Sequence, residues 1–318
     1  MELNKIYKEP CLDTLRKMPN EFLDCVITSP PYWQLRDYGY DGQWGLEPTF
    51  DEYLEHLWEM MAEIHRVLKP TGTVWINLGD SYSTQSGTNL ALARGKNYQS
   101  DSTYLVNRGE SGKLLKPKNL PNKCLLLIPH RFAIGCIDRG WILRNDIIWA
   151  KRNGMPESVT DRFSKKHEFV FFMVKQEKYY FDLDSVRGKN SESSLKRIEY
   201  GWKSNHDSIG KIDTDKMGER FCNPKGKNPG DVSDFWDIMT KPSSNEHYAA
   251  YNDELIRKPI LAGCPEGGII YDPFMGTGST AESALRANRN FIGSEMSEKY
   301  CKIAEERLHP FLSQTKLF

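Results

Sequence analysis

The chain has 318 residues and a mass of 36.7 kDa, and its 43 Lys and Arg balance 43 Asp and Glu. With 39% hydrophobic and 27% charged residues, the composition is that of a globular protein and excludes wholesale disorder. No apolar run approaches the ~18 residues of a membrane-spanning helix, and the N-terminus lacks the apolar core of a secretion signal, so no membrane partner is expected.

The N-terminal part of the sequence predicts a strand, a helix and a second strand. Residues 24–28 form a short apolar run that stops at Ser29-Pro30-Pro31-Tyr32, as a buried parallel strand does before a rigid loop. Apolar residues at helical spacing over 50–68 follow a capping box that starts at Thr49. Residues 73–78 form the next strand, and this order implies a right-handed parallel crossover.

Helices and strands continue to alternate after residue 120, around two polar stretches. The expected helices are 125–139, 255–262, 279–287 and 298–308, and the expected strands are 141–149, 169–174, 268–271 and 291–293. His167 and Glu168 directly precede the expected strand 169–174, and because adjacent residues on a strand point to opposite faces, a structural role is favoured for both over an acid–base pair. The alternation predicts an α/β fold, a mostly parallel twisted sheet with helices on both faces.

The zero net charge conceals an uneven distribution along the chain. Residues 94–230 contain 27 Lys and Arg against 16 Asp and Glu, and the remainder contains 16 against 27. Such a stretch is commonly a solvated face, but it also suits a polyanion such as DNA. The seven cysteines include no CxxC pair, which favours a reduced, cytoplasmic protein with neither zinc nor a disulfide framework.

A glycine-rich loop, Asp272-Pro273-Phe274-Met275-Gly276-Thr277-Gly278-Ser279-Thr280-Ala281, joins a predicted strand to a predicted helix. Its glycines fit a nucleotide-binding fingerprint, and Glu295 lies where a ribose-binding carboxylate is expected, although such a turn also occurs for packing alone. Only residues 296–318 follow, too few to complete a dinucleotide domain. Asp272 would repel a pyrophosphate but suits a cationic ligand such as S-adenosylmethionine.

The tetrapeptide Ser29-Pro30-Pro31-Tyr32 together with this loop resembles the paired motifs of the amino-group DNA methyltransferases. The tetrapeptide precedes the glycine loop, as in the permuted β subgroup. The resemblance implies a Rossmann-like S-adenosylmethionine-dependent fold in permuted order. Residues 1–80 and 121–184 would form its catalytic half and 236–318 its cofactor-binding half. Residues 81–120 would be a mobile basic insertion and 185–235 the target-recognition region.

The resemblance also implies roles for individual residues. The Ser29 hydroxyl and Pro30 carbonyl would accept the hydrogens of a flipped base's amino group, next to Pro31, while Tyr32 stacks on that base. Cofactor-binding candidates are Asp272, Pro273, Phe274, Gly276, Gly278, Thr280, Glu295, His247 and Asp13. Asp13 is the weakest match, because the family usually has Gly-Asp where this chain has Glu9-Pro10. Glu9 or the backbone are the alternatives there.

Serine before Pro-Pro favours cytosine N4 as the target, with adenine N6 as the first alternative and a catalytically silent DNA-binding module as the second. Candidate phosphate contacts are Arg94, Lys96, Arg108, Lys113, Lys116 and Lys118. The resemblance implies double-stranded DNA as the partner. A cognate restriction endonuclease is a further candidate partner, since members of the family act both with a nuclease and alone, and both a monomer and a homodimer are compatible with the sequence.

Overall fold

The computed structural model describes residues 1–83, 120–154, 157–188, 192, 234–239 and 253–314. The strands in these parts of the chain are β1 Lys5–Tyr7, β2 Leu23–Thr28, β3 Leu68–Leu78, β4 Ile142–Ala150, β5 His167–Val174, β6 Phe235–Asp237, β7 Ile269–Asp272 and β8 Asn290–Ser294. The helices are α1 Cys11–Lys17, α2 Phe50–Val67, α3 Ile128–Asp138, α4 Asp253–Gly263, α5 Ser279–Arg286 and α6 Glu298–Gln314. Among them, no helix is both long and apolar enough to cross a bilayer.

The strands form one sheet in the order β1-β8-β7-β2-β3-β5-β4-β6. Neighbouring strands pair in parallel except at β5, which runs antiparallel to both β3 and β4. The carboxyl ends of β8, β7, β2, β3 and β4 therefore share one edge of the sheet with the start of β5. This confirms the predicted α/β architecture with its mostly parallel sheet.

Helices cover both faces of the sheet because alternate residues of the central strand β2 point to opposite sides. Val26 packs in one apolar cluster with the buried faces of α1, α2 and α3. Cys25 and Ile27 pack in a second cluster, with α4, α5 and α6. The helix α2 begins as predicted, with the Thr49 side chain accepting a hydrogen bond from the Glu52 amide.

Three elements were not predicted from the sequence. The strands β1 and β6 have three residues each and depend on β8 and β4 for their pairing. The short helix α1 is fixed from outside, since the Arg66 guanidinium donates to the carbonyls of Leu15 and Met18.

The helix α6 runs six residues beyond its predicted end at residue 308, through Pro310. Its last turn is stabilised by packing. Leu312 contacts the second cluster, and the Arg286 guanidinium lies 5.0 Å from the centre of the Phe311 ring.

Candidate functional site

The two predicted motifs lie next to each other at the carboxyl edge of the sheet. The strands β2 and β7 pair in parallel, with Cys25 opposite Ile270 and Val26 opposite Tyr271. The tetrapeptide that follows β2 and the glycine loop that follows β7 therefore leave the sheet side by side.

The segment after the tetrapeptide folds back over the glycine loop. The Gln34 amide donates to the Gly45 carbonyl at 2.6 Å, which closes a loop between them. The Trp44 ring on this loop lies 5.3 Å from the Phe274 ring. One continuous stretch of chain thus connects the tetrapeptide to the glycine loop in space.

The tetrapeptide rests on a polar network that the sequence analysis did not find. The Tyr32 hydroxyl donates to Glu168 Oε2 at 2.7 Å, and Asn77 Nδ2 donates to the Tyr32 hydroxyl at 2.5 Å and to Glu168 Oε2 at 3.0 Å. The Ser29 hydroxyl is 3.4 Å from both Tyr32 Oη and Asn77 Nδ2. These bonds hold the Tyr32 hydroxyl against β3 and β5, the strands that carry Asn77 and Glu168.

The carboxylate of Glu168 remains ionised in this network. Its side chain is 15% exposed and forms an ion pair with the Lys151 ammonium. Burial raises the pKa of the Glu168 carboxyl, but the Lys151 charge and the hydrogen bonds from Lys151, Asn77 and Tyr32 outweigh burial, and the pKa is lowered. The structural role of Glu168 is thus to hold the tetrapeptide in place, through its hydrogen bond with the Tyr32 hydroxyl.

The ring of Tyr32 packs closely against the backbone of Gly79. A Cβ atom on Gly79 would lie 2.6 Å from Tyr32 Cε2, so a larger residue there would displace the ring. Asp80, the next residue, accepts hydrogen bonds from the amides of Ser81, Leu127 and Ile128. Asp80 thus forms a turn that also fixes the start of α3.

In the glycine loop, the carboxylate of Asp272 organises the loop itself. It accepts from the Phe274 amide at 3.0 Å and from the Thr280 hydroxyl at 2.6 Å. Burial raises the pKa of Asp272 to about 6, although these hydrogen bonds oppose the shift. Asp272 is 2% exposed.

Glu295 holds the loop from the neighbouring strand end. Its two oxygens accept from the amides of Gly276 at 2.8 Å and Ser297 at 2.7 Å. Burial raises the pKa of Glu295 against these hydrogen bonds. Each carboxylate oxygen has a second lone pair, so Glu295 can still accept hydrogen bonds from a ligand.

A pocket opens between the glycine loop, the end of β8 and the loop that carries Trp44. The pocket is lined by the apolar surfaces of Pro10, Trp44 and Phe274 and by two carboxylate residues, Glu9 and Glu295. Flat apolar walls suit a purine ring, and acceptor oxygens suit ribose hydroxyls and a positively charged ligand.

Not all predicted cofactor residues line this pocket. Asp13 is on the exposed side of α1, where its carboxylate is 3.6 Å from Arg16, and Glu9 takes its place in the wall. The Glu9 carboxylate accepts from the Thr14 hydroxyl at 3.0 Å and also pairs with Lys17. His247 and the predicted DNA contacts Arg94, Lys96, Arg108, Lys113, Lys116 and Lys118 lie outside the described residues.

Comparison with known proteins gives matches over most of the chain. A family model described as "DNA methylase" matches residues 23–306. The type II methyltransferase M.Cfr9I of Citrobacter freundii is 34% identical over 97% of this chain and 89% of its own. The type II methyltransferase M.SmaI of Serratia marcescens is 33% identical over 96% of this chain and 90% of its own.

Solved structures share the fold at low identity. The PvuII DNA methyltransferase, a cytosine-N4-specific enzyme, matches with a TM-score of 0.60 and 17% identity, over 95% of this chain and 85% of that one. TTHA0409 of Thermus thermophilus, in complex with S-adenosyl-L-methionine, matches with a TM-score of 0.57 and 18% identity, over 99% of this chain and 95% of that one.

Proposed function

The chain belongs to the DNA methylase family, and on that basis we propose that it methylates the N4 amino group of cytosine in duplex DNA. It is a DNA methyltransferase of the type II restriction–modification kind. A cognate restriction endonuclease, if the enzyme acts with one, would cut the same DNA sequence.

One arrangement carries this function. The tetrapeptide and the glycine loop leave adjacent parallel strands at the same edge of the sheet, and the pocket lies beside them. In an open α/β sheet, ligands bind beyond the carboxyl ends of the strands. The two motifs can therefore serve one reaction, with the methyl donor on one side and the acceptor base on the other.

The methyl donor is S-adenosylmethionine, which supplies an electrophilic methyl group on a sulfonium when it is bound. The pocket fits its adenosine part, because Phe274 and Pro10 offer apolar surfaces and Glu295 offers acceptor oxygens. Asp272 would position the glycine loop through its bonds to Phe274 and Thr280. Pro273 would line the same wall, and Gly276 and Gly278 would shape the loop behind it.

The acceptor amine would be activated by Ser29 and Pro30. An exocyclic amino nitrogen has its lone pair delocalised into the base, and it becomes nucleophilic when its hydrogens bond to acceptors that favour a tetrahedral nitrogen. The Ser29 hydroxyl and the Pro30 carbonyl would be those acceptors, and correct positioning would supply most of the rate. The ring of Tyr32 would stack on the flipped base.

We assign Asn77, Lys151 and Glu168 a positioning role. Their network fixes the Tyr32 hydroxyl and lies 3.4 Å from the Ser29 hydroxyl. Side chains that contact a substrate are positioned more precisely when hydrogen-bonded neighbours hold them than when they lie on a free loop. These residues would act through Tyr32 and Ser29 and not through the base.

The choice of cytosine N4 over adenine N6 depends on Ser29, since serine before Pro-Pro resembles the cytosine group of the family. The cytosine-N4 designation of the structurally similar PvuII enzyme agrees with this choice. The two long polar stretches, 81–120 and 185–235, would contact the DNA, with the first supplying the basic candidates from Arg94 to Lys118. Residues 236–318 would complete the cofactor half, with His247 near the methionine end.

The proposal is tested by incubating the enzyme with unmethylated DNA and labelled S-adenosylmethionine, followed by nucleoside mass spectrometry and site mapping. We expect N4-methylcytosine at one short sequence. N6-methyladenine in place of N4-methylcytosine would contradict the choice of base while retaining the reaction.

A variant of the tetrapeptide tests the assigned role of serine. Ser29→Ala should lower turnover by more than tenfold, the usual size of a lost transition-state contact, and should leave the affinity for S-adenosylmethionine unchanged. Equal losses in turnover and cofactor affinity would contradict the placement of Ser29 at the base.

A further inference from the structure

One phenylalanine is almost completely exposed to solvent. Phe163 is 96% exposed, more than any other large apolar side chain in the described part of the chain, where Met239 follows at 64%. A single exposed apolar residue is common on protein surfaces. The position and anchoring of Phe163 are what make its exposure informative.

The residues on either side of Phe163 are fixed to the body of the protein. The Arg162 guanidinium donates to Glu157 at 2.6 Å and lies 3.9 Å from the centre of the Tyr82 ring. The Lys165 ammonium donates to the Asp80 carbonyl, and burial lowers the pKa of that ammonium. The Phe163 ring therefore projects from a braced turn.

This turn is next to the proposed catalytic site. It belongs to the connection from β4 to β5, which leaves the sheet at the same edge as the tetrapeptide. Asp80, which binds Lys165, follows the glycine that supports the Tyr32 ring, and Glu168 is three residues beyond Lys165. The braced turn thus borders the place where a flipped base would enter.

The connection from β4 to β5 is basic in sequence, with five Lys and Arg against two Asp and Glu over residues 151–166. Three of these cations are paired within the protein, Lys151 with Glu168, Arg152 with Asp237 and Arg162 with Glu157. The feature of this turn that suits DNA is therefore the apolar ring of Phe163, which matches the stacked bases. Proteins that deform duplex DNA commonly insert an apolar wedge between base steps.

We propose that Phe163 inserts into the DNA base stack and occupies the space that the target base leaves when it flips into the catalytic site. This inference rests on the proposed function, because it concerns the same DNA. The inserted ring would replace part of the stacking lost when the base leaves the duplex.

The experiment compares two duplexes that carry the mapped methylation site, one with the target base paired and one with it mispaired. Phe163→Ala should lower kcat/KM on the paired duplex about tenfold, since the loss of a base–aromatic stack weakens binding by about fivefold or more. On the mispaired duplex the loss should be about twofold or less, because the base is already partly unstacked. Phe163→Trp, which keeps a stacking ring, should retain activity on both duplexes.

Controls separate this role from simpler effects. Ile134→Ala removes another exposed apolar side chain, 59% exposed on α3, and should change neither rate. Equal losses for Phe163→Ala on both duplexes, or no loss on either, would overturn the wedge while leaving the proposed methyl transfer intact. A wild-type enzyme that methylates no DNA would overturn both.

Discussion

The carboxylate of Glu168 is predicted to set the rate of methyl transfer through the orientation of Tyr32. In Glu168→Gln the amide keeps the shape of the side chain but removes its negative charge. The Lys151 ammonium then loses its ion pair with residue 168. A hydrogen bond to a charged group contributes about 1.5–3 kcal/mol. The Glu168 and Lys151 side chains are 15% and 20% exposed, so solvent screens part of this interaction.

We therefore expect Glu168→Gln to weaken the interactions that orient Tyr32 by about 1–2 kcal/mol. This loss would lower kcat by a factor of about 5–30. The assay is steady-state methylation of DNA that carries the mapped site, with the Kd of S-adenosylmethionine measured by calorimetry. Cofactor affinity should not change, because the pocket lies on the other side of β2. A fall in cofactor affinity as large as the fall in kcat would refute the reasoning.

A matched control and a double variant sharpen this test. Asp24→Asn removes a comparable carboxylate, 10% exposed and 2.8 Å from Lys69, near the opposite end of β2, and should lower stability without lowering kcat. Tyr32→Phe removes the hydroxyl through which Glu168 is expected to act. The double variant Tyr32→Phe/Glu168→Gln should then be no slower than the slower single variant, whereas additive losses would show that the two residues act independently.

Three further predictions concern the cofactor half. Glu295→Gln can accept only one of the two backbone amides that bind the carboxylate, so the Kd of S-adenosylmethionine should rise about tenfold, and an unchanged Kd would show that the ribose is held elsewhere. Gly278→Ala should lower the free energy of unfolding by about 1–3 kcal/mol more than Gly267→Ala does. Both glycines have positive φ, but only at Gly278 would an added Cβ contact Ala304, at 3.0 Å. Equal losses of the two variants in urea unfolding would contradict this. Burial raises the pKa of Asp272 from an ordinary 3.8 to about 6. Between these two pH values the folded state therefore holds a proton at Asp272 that the unfolded chain has released. The free energy of unfolding of wild type, relative to Asp272→Asn, should therefore fall between pH 4 and 7 by on the order of 2–3 kcal/mol, and a difference independent of pH would count against the shift.

Local sequence patterns were sufficient for most of the sheet. Runs such as residues 24–28 and 169–174 are apolar enough to predict buried strands, and each forms the C-terminal part of a slightly longer strand, β2 Leu23–Thr28 and β5 His167–Val174. The strand β1 was not predicted, because Lys5, Ile6 and Tyr7 show no apolar run and become a strand only beside β8. Short edge strands depend on their partner more than on their own residues.

The site was predictable in its motifs but not in its supporting contacts. The tetrapeptide and the glycine loop are continuous in sequence, so their residue types alone indicate the chemistry. The network under Tyr32 joins positions 45 and 136 residues away along the chain, at Asn77 and Glu168. Such pairings depend on strand order and register, which one sequence does not specify locally. The same reason explains why Glu9, and not Asp13, lines the pocket.

The pairing of β1 with β8 has a consequence for synthesis of the protein. The Glu295 amide donates to the Tyr7 carbonyl, and Glu9 and Glu295 line the same pocket, so the wall proposed for the methyl donor combines residues translated early with residues translated late. A chain cut short before Asn290 would still contain Ser29 and Tyr32 but would lack β8 and Glu295. Messages truncated before that point would thus yield polypeptides that carry the tetrapeptide but lack part of the pocket proposed for the methyl donor.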